Sequence, residues 1–266
     1  MSALTPFSTL IAQLDRDGDV YQTELPADWL QGRTAYGGLT TALCYEAAIR
    51  SFSDLPPLRS VQVTFIGPAM GRLTLKTKML RQGRNVSFIE VDLMGDKGLA
   101  TRCLFTFGAS RASQLTSPVI RPRRLDAPDT CPEFLGFDGA PAFTQHYDTR
   151  VIEGSRPGTN ADKPDYLVWV KHKDASGLDS MTGLLALADM LPPAMLSTAS
   201  SFVPISSMTW HMNVLVDQPP QQSAWCLLES AAESAIEGYS SQNMTLWDRS
   251  GQPLVIGRQS VAIFDT

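Results

Sequence analysis

The chain has 266 residues, 43% hydrophobic and 18% charged, which supports a sizeable core and leaves too little charge for a mainly disordered polypeptide. A formal net charge of −5 and a pI near 5.2 argue against nucleic acid as the main partner, because phosphate binding needs clustered Lys and Arg. The length suits two compact domains of about 110 to 130 residues each.

From Met1 to Phe7 there is no basic start followed by an apolar core, so no export signal is read there. No apolar run reaches membrane-span length, so the reading is a cytoplasmic protein with no membrane insertion. The first predicted element is a helix over 37–50, where Leu39, Ala42, Leu43, Ala47 and Ile49 recur at helical spacing. Alternating segments over 60–66, 73–80, 86–93 and 99–107 follow as antiparallel strands, divided by Gly67-Pro68, Gln82-Gly83 and the turn Gly95-Asp96-Lys97-Gly98. Residues from about 110 to 165 are rich in Pro, Gly, Asp and Arg without a sustained period and read as a linker. The second half opens with a strand over 166–170 and a helix over 180–191 stopping before Pro192-Pro193. Its strands are predicted over 207–216, 225–234, 239–247 and 254–264, and Asp248-Arg249-Ser250-Gly251 mirrors the last hairpin of the first half.

One helix followed by about four antiparallel strands, twice over, is the layout of a hotdog: a curled sheet wrapping one helix. The predicted fold class is α+β, a double hotdog, with an N-terminal hotdog at 1–115, a linker at 116–148 and a C-terminal hotdog at 149–266. Edge-to-edge pairing of the two sheets would cover exposed strand edges and place a ligand cleft at the seam. The rival reading is two unrelated α+β domains in chance order.

Several segments resemble one family. Ala35-Tyr36-Gly37-Gly38 opens a helix, Val61-Gln62-Val63-Thr64-Phe65-Ile66-Gly67-Pro68 is a strand ending in a turn, and Leu80-Arg81-Gln82-Gly83-Arg84-Asn85-Val86-Ser87-Phe88 spans a hairpin. With Ala186-Leu187-Ala188-Asp189 and Gly257-Arg258-Gln259-Ser260 in the second half, the chain resembles the double-hotdog acyl-CoA thioesterases of the thioesterase II type. The resemblance implies hydrolysis of an acyl-CoA substrate without metal or organic cofactor, and a homodimer. It also implies a water held by an Asp, a Ser or Thr and a Gln. Gln259 matches the glutamine. At the position matched to the Asp this chain carries Thr209, and the hydroxyl is expected from Ser230 or Ser234.

Thioester hydrolysis needs an aimed water, a proton acceptor and donors for the oxyanion. Free backbone N–H groups at Gly37 and Gly38, next to Tyr36, are the oxyanion and substrate-binding candidates, or else the glycines merely allow close packing. Gln259 can orient water through its amide. For the base, Asp189 beside Leu187 and Met190 is one candidate, since burial raises a carboxyl pKa. The other is His211, which shares a strand face with Thr209 and Asn213. Arg84, with Arg81, Arg102, Arg121, Arg123 and Arg124, could meet CoA phosphates or be solvated. Met181, Leu184, Leu185, Met190 and Trp210 could line an acyl tunnel or simply be core. His146 and His172 lack ligand partners at metal spacing, and the scattered Cys44, Cys103, Cys131 and Cys226 read as reduced packing thiols. No GxSxG, GxxxxGK or GxGxxG motif is present. The catalytic set is therefore Gln259 with Asp189, Thr209, His211 or Ser234. A non-catalytic acyl-CoA-binding protein that has lost its carboxylate is the alternative.

Overall fold

The computed structural model describes residues 4–137, 139–176, 180–219 and 225–265. Residues 1–3 of the opening stretch read for export lie outside them.

The first half begins with a short helix α1 (Phe7–Ala12), a hairpin of β1 (Asp15–Asp17) and β2 (Val20–Glu24), and a small hairpin of β3 (Leu30–Gln31) and β4 (Thr34–Ala35). Helix α2 (Gly37–Ser51) then precedes β5 (Leu58–Phe65), β6 (Arg72–Gln82), β7 (Val86–Gly95) and β8 (Gly98–Gly108). The second half contains β9 (Tyr147–Gly154), β10 (Asp165–His172), α3 (Met181–Ala188), β11 (Ile205–Val214), β12 (Cys226–Ile236), β13 (Tyr239–Trp247) and β14 (Pro253–Ile263). Twelve strands form one antiparallel sheet in the order β1-β2-β6-β7-β8-β5-β11-β14-β13-β12-β10-β9. The fold is a double hotdog, and β5 paired with β11 joins its halves.

Register shows how closely the halves repeat. On the seam strands the pairing slips between Leu58 and Ser60 in β5 and between Ser207 and Thr209 in β11. It slips again between Met79 and Arg81 in β6 and between Ala232 and Ser234 in β12. A third pair of slips falls between Leu93 and Met94 in β7 and between Leu246 and Trp247 in β13. A bulge adds one unpaired residue and bends its strand, so three matched bulges give both sheets the same curl. The pseudo-two-fold passes between Gln62 and His211, which face each other across the seam. At the tip of the second half Glu237 and Gly238 both adopt left-handed φ, 52° and 79°, as a two-residue hairpin requires.

Helices α2 and α3 lie against each other on the inner face of the sheet. Residues 38–45 of α2 and all of α3 are buried, because each helix has the sheet on one side and the other helix on another. Two segments depart from the expected elements. Residues 147–154, read as linker, form strand β9, and β1 and β2 extend the first sheet ahead of α2; the expected domain start at 149 thus falls inside β9. Sequence alone hides these strands because β2 is largely polar and takes its sheet pairing from distant β6, while β9 lies in a stretch rich in Pro and Gly with no sustained period. Helix α3 also ends at Ala188, three residues early, leaving Asp189 as its C-cap.

The linker crosses the outer face of the second half. There Leu167, Trp169, Leu227 and Trp247 form a small separate core. Trp169 Nε1 donates to the Asp126 carbonyl at 2.7 Å and Trp247 Nε1 to the Ile120 carbonyl at 3.1 Å, so the strap satisfies both buried indole N–H groups.

Candidate active site

The residues of interest converge where α3 ends against the start of α2. Ser180 caps α3 by accepting from the Gly183 N–H at 3.1 Å, and the following apolar run buries the whole helix. Pro192 and Pro193 prevent its continuation, so the chain turns at Asp189, whose side chain is only 9% exposed. Facing it from β14 is Gln259, 3% exposed, whose Nε2 donates to Asp189 Oδ1 at 2.8 Å. The backbone N–H of Gly38 at the start of α2 lies near enough to the Asp189 carboxylate to favour its charged form. Two candidates from the second half and one from the first thus meet at the seam.

Burial pushes the Asp189 carboxyl up to about 7, and the hydrogen bond from Gln259 and the N–H of Gly38 oppose the rise. Desolvation wins because a buried carboxylate loses water's solvation and gains only two donors in return. A carboxyl balanced near neutrality can take a proton and return it.

The two glycines serve this contact sterically as well. A Cβ on Gly37 would lie 2.6 Å from Asp189 Oδ2 and from the Phe65 ring, and one on Gly38 would lie 2.6 Å from the Ala186 carbonyl oxygen. Close packing and a free helix start are therefore one feature here. The Gly38 N–H acts on the Asp189 carboxylate. Half-buried Gly37 is the first residue of α2 and has no helical acceptor for its own N–H.

Tyr36 sits elsewhere than expected. Its hydroxyl meets that of Tyr147 and reaches the Ala186 carbonyl at 3.3 Å, while its ring stacks on Phe143 at 4.1 Å. Burial holds its phenol well above the ordinary value. It braces the start of α2 and leaves no hydroxyl for a ligand.

The expected trio on β11 lies on the wrong face. Trp210 and Met212 are buried, so Thr209, His211 and Asn213 point outward and are exposed. Ser234 is likewise exposed, beside the β12 bulge. Ser230, its rival, is fully buried on the inner face beside Met244, and its hydroxyl has no partner among the described residues. Arg84 occupies the β6–β7 hairpin, at the end of the strands remote from Phe65 and Gly37. Arg102 is paired with Asp92, Arg123 with Glu153, Asp165 and Glu229, and Arg124 with Asp126 and Glu153. Arg121 donates to the Gly251 carbonyl at 2.9 Å. Carboxylates thus pair Arg102, Arg123 and Arg124, half of the basic group that phosphates were expected to meet.

Two residues near the site were missed by sequence reasoning. Ser207 pairs with Val261, which shares the inner face with Gln259, so the bulge after Ser207 turns a hydroxyl inward. Gln242, 1% exposed on β13, donates through Nε2 to Gln259 Oε1 at 2.8 Å. Its signal was a glutamine in register with the buried positions Ser240, Met244 and Leu246. Beneath the end of α3 lies a small cavity of about 10 Å³, lined by Ala188, Trp210, Leu228, Met244, Val255 and Gly257. The Trp210 indole N–H is unpartnered among the described residues. Of the expected tunnel residues Trp210 borders this cavity, while Met181, Leu184, Leu185 and Met190 belong to the main core.

Family models match both halves of the chain. An acyl-CoA thioesterase C-terminal domain matches residues 125–263, and an acyl-CoA thioesterase N-terminal domain matches residues 25–108. The chain belongs to the acyl-CoA thioesterase family. Among solved structures it is similar to a hotdog protein of unknown function from Alicyclobacillus acidocaldarius, at 22% identity and a TM-score of 0.87 over 96% of this chain and 98% of that one. A putative thioesterase II from Thermobifida fusca gives 18% identity and 0.80 over 99% of both chains. An acyl-CoA thioesterase II from Mycobacterium marinum gives 14% and 0.74 over 95% of this chain and 96% of the other. A search of curated protein sequences gave no match. No helix among the described residues is long and apolar enough to cross a membrane.

Proposed function

We propose that the chain hydrolyses an acyl-CoA thioester to a free acid and CoA, with Asp189 as general base and Gln259 as the group that orients it and the attacking water. The carrying observation is a buried carboxyl near neutral pKa, held between a Gln259 amide and the start of α2. Water attacks the carbonyl carbon as Asp189 takes one of its protons. The oxyanion is met by the Gly37 N–H at the positive end of α2. When the tetrahedral intermediate collapses the C–S bond breaks, and the proton on Asp189 passes to the departing sulfur. The carboxylate is thereby restored, and the products are one acid and one thiol. Ser207, the inward hydroxyl of β11, is the proposed second anchor for the water. It replaces Thr209 and Ser234 in that role, and Asp189 takes the base role also considered for His211, since these three face solvent.

The non-catalytic alternative drew its motive from a missing carboxylate, and Asp189 in the site removes that motive. The test is release of free thiol from an acyl-CoA series, acetyl to palmitoyl, by wild type and by Asp189→Asn. Turnover by wild type and its loss in the variant support the reading, whereas equal rates in both would remove Asp189 from the mechanism.

A further inference from the structure

Gln242 belongs to none of the motifs above, yet both ends of its amide are committed. Its Oε1 accepts from the Ala194 backbone N–H at 2.9 Å, and its Nε2 donates to Gln259 Oε1 at 2.8 Å. A backbone N–H can only donate, so the amide oxygen must face Ala194 and the NH₂ must face Gln259. That in turn requires Gln259 to turn its oxygen toward Gln242 and its NH₂ toward Asp189, as observed at 2.8 Å. The turn after α3 therefore sets the direction of an amide chain that ends on the carboxyl. Either glutamine alone could flip by 180° about its last side-chain torsion; anchored to Ala194, the pair cannot.

We propose that Gln242 is a positioning residue: by fixing the direction of the Gln259 amide it keeps a hydrogen-bond donor on Asp189 and so favours the ionised, base-competent carboxylate. The inference rests on the proposal that Asp189 is the base. A purely space-filling role is argued against by the repeat, because the matched position in the first half is Ile89. Like Gln242 opposite Gln259, Ile89 is buried and sits opposite Phe105. The same architecture is thus complete with an aliphatic side chain at that position. The titratable groups facing Asp189 are Tyr36 from the start of α2 and Tyr147 from β9, and burial keeps both phenols protonated throughout the neutral range. From the sheet come Gln242, Gln259 and Trp210, which carry no charge.

The experiment is the pH profile of kcat/KM, from about pH 5.5 to 9.5, for wild type, Gln242→Leu and Gln242→Glu, on whichever acyl-CoA of the acetyl to palmitoyl series wild type cleaves fastest. With leucine, Gln259 is free to flip its oxygen toward Asp189, which then bonds only the protonated acid. The acid limb should rise by roughly half to one pH unit, with a high-pH plateau within about threefold of wild type. With glutamate, Ala194 keeps its acceptor but the new carboxylate draws the Gln259 NH₂ away from Asp189. The limb should then rise by more than about one unit, with a loss of roughly tenfold or more at pH 7 that alkaline pH recovers. A uniform loss at every pH, with the limb unmoved, overturns the inference and leaves the base assignment standing. An active Asp189→Asn variant overturns both. Should the leucine variant fail to fold, the near-isosteric glutamate variant decides alone.

Discussion

The two halves share strands, bulges and helix placement, yet the pocket under each helix is chemically different. In the second half Asp189 meets Gln259, and Gln242 stands behind it. Matched bulges align Gln259 with Phe105, Gln242 with Ile89 and Trp210 with Val61. In the first half Phe105 packs edge-on against Tyr45 with ring centroids 5.7 Å apart, and no side-chain hydrogen bond crosses the contact. The scaffold is duplicated and the polar cluster is not. A hotdog half does not need buried amides to close its core, so their presence in one half calls for a reason beyond folding.

Substitutions can break this contrast or sharpen it. The largest effect is expected from Asp189→Asn, which should lower kcat by about 10² to 10⁴, read as thiol release. The same change should raise the melting temperature at pH 8. The folded-state pKa lies above the unfolded one, so Asp189 favours the fold below about pH 4, and that contribution fades as pH rises through about 7. Asparagine escapes the penalty, and calorimetry at pH 5 and pH 8 should show a larger gain at pH 8. Next comes Gln259→Leu, which removes the carboxylate's side-chain donor and should cost about 10-fold to 100-fold in kcat/KM, with the acid limb displaced upward.

Gly38→Ala should destabilise by about 1–3 kcal/mol in denaturant titration, because its Cβ would press on the Ala186 carbonyl and push α2 from α3. Activity should fall with it. Phe105→Leu, at the matched first-half position, should cost about 1–2 kcal/mol of stability while kcat stays within about twofold. A large loss of kcat there would show that the first half takes part in the chemistry. The smallest effects are expected for Thr209→Ala and His211→Ala, within about 0.5 kcal/mol and without change in turnover.

Alternating apolar residues and glycine-marked turns made β5 to β8 and β11 to β14 legible in the sequence, and the repeated order of helix and strands gave the fold class. Strands β2 and β9 were not legible: β2 is a mixed segment that takes its pairing from distant β6, and β9 is an edge strand in a stretch whose Pro and Gly content masks its alternation. Asp189 and Gln259 could be singled out by chemistry and family pattern. Thr209, His211 and Ser234 lie on the solvent side: alternation tells which residues share a face but not which face is inner, and the apolar neighbours of Thr209 and His211 took the inner one. Ser207 has the same parity as Thr209 yet faces inward, because the bulge at Met208 reverses the phase between them. A one-residue insertion in the ladder cannot be seen in composition or period. Gln242 lay in plain view on an inward-facing strand, but its value came only from Ala194 and Gln259, 48 and 17 residues away.

The matched bulges also bear on ancestry. Two separate copies of one hotdog, assembled about an exact dyad, must carry identical residues in both pockets, so neither can exchange glutamine for phenylalanine without the other. Joining the copies into one gene product lifts that constraint. One pocket is then free to fill with aromatic packing while its sister holds a buried carboxyl and two amides, and the two can differ without disturbing the strands they share.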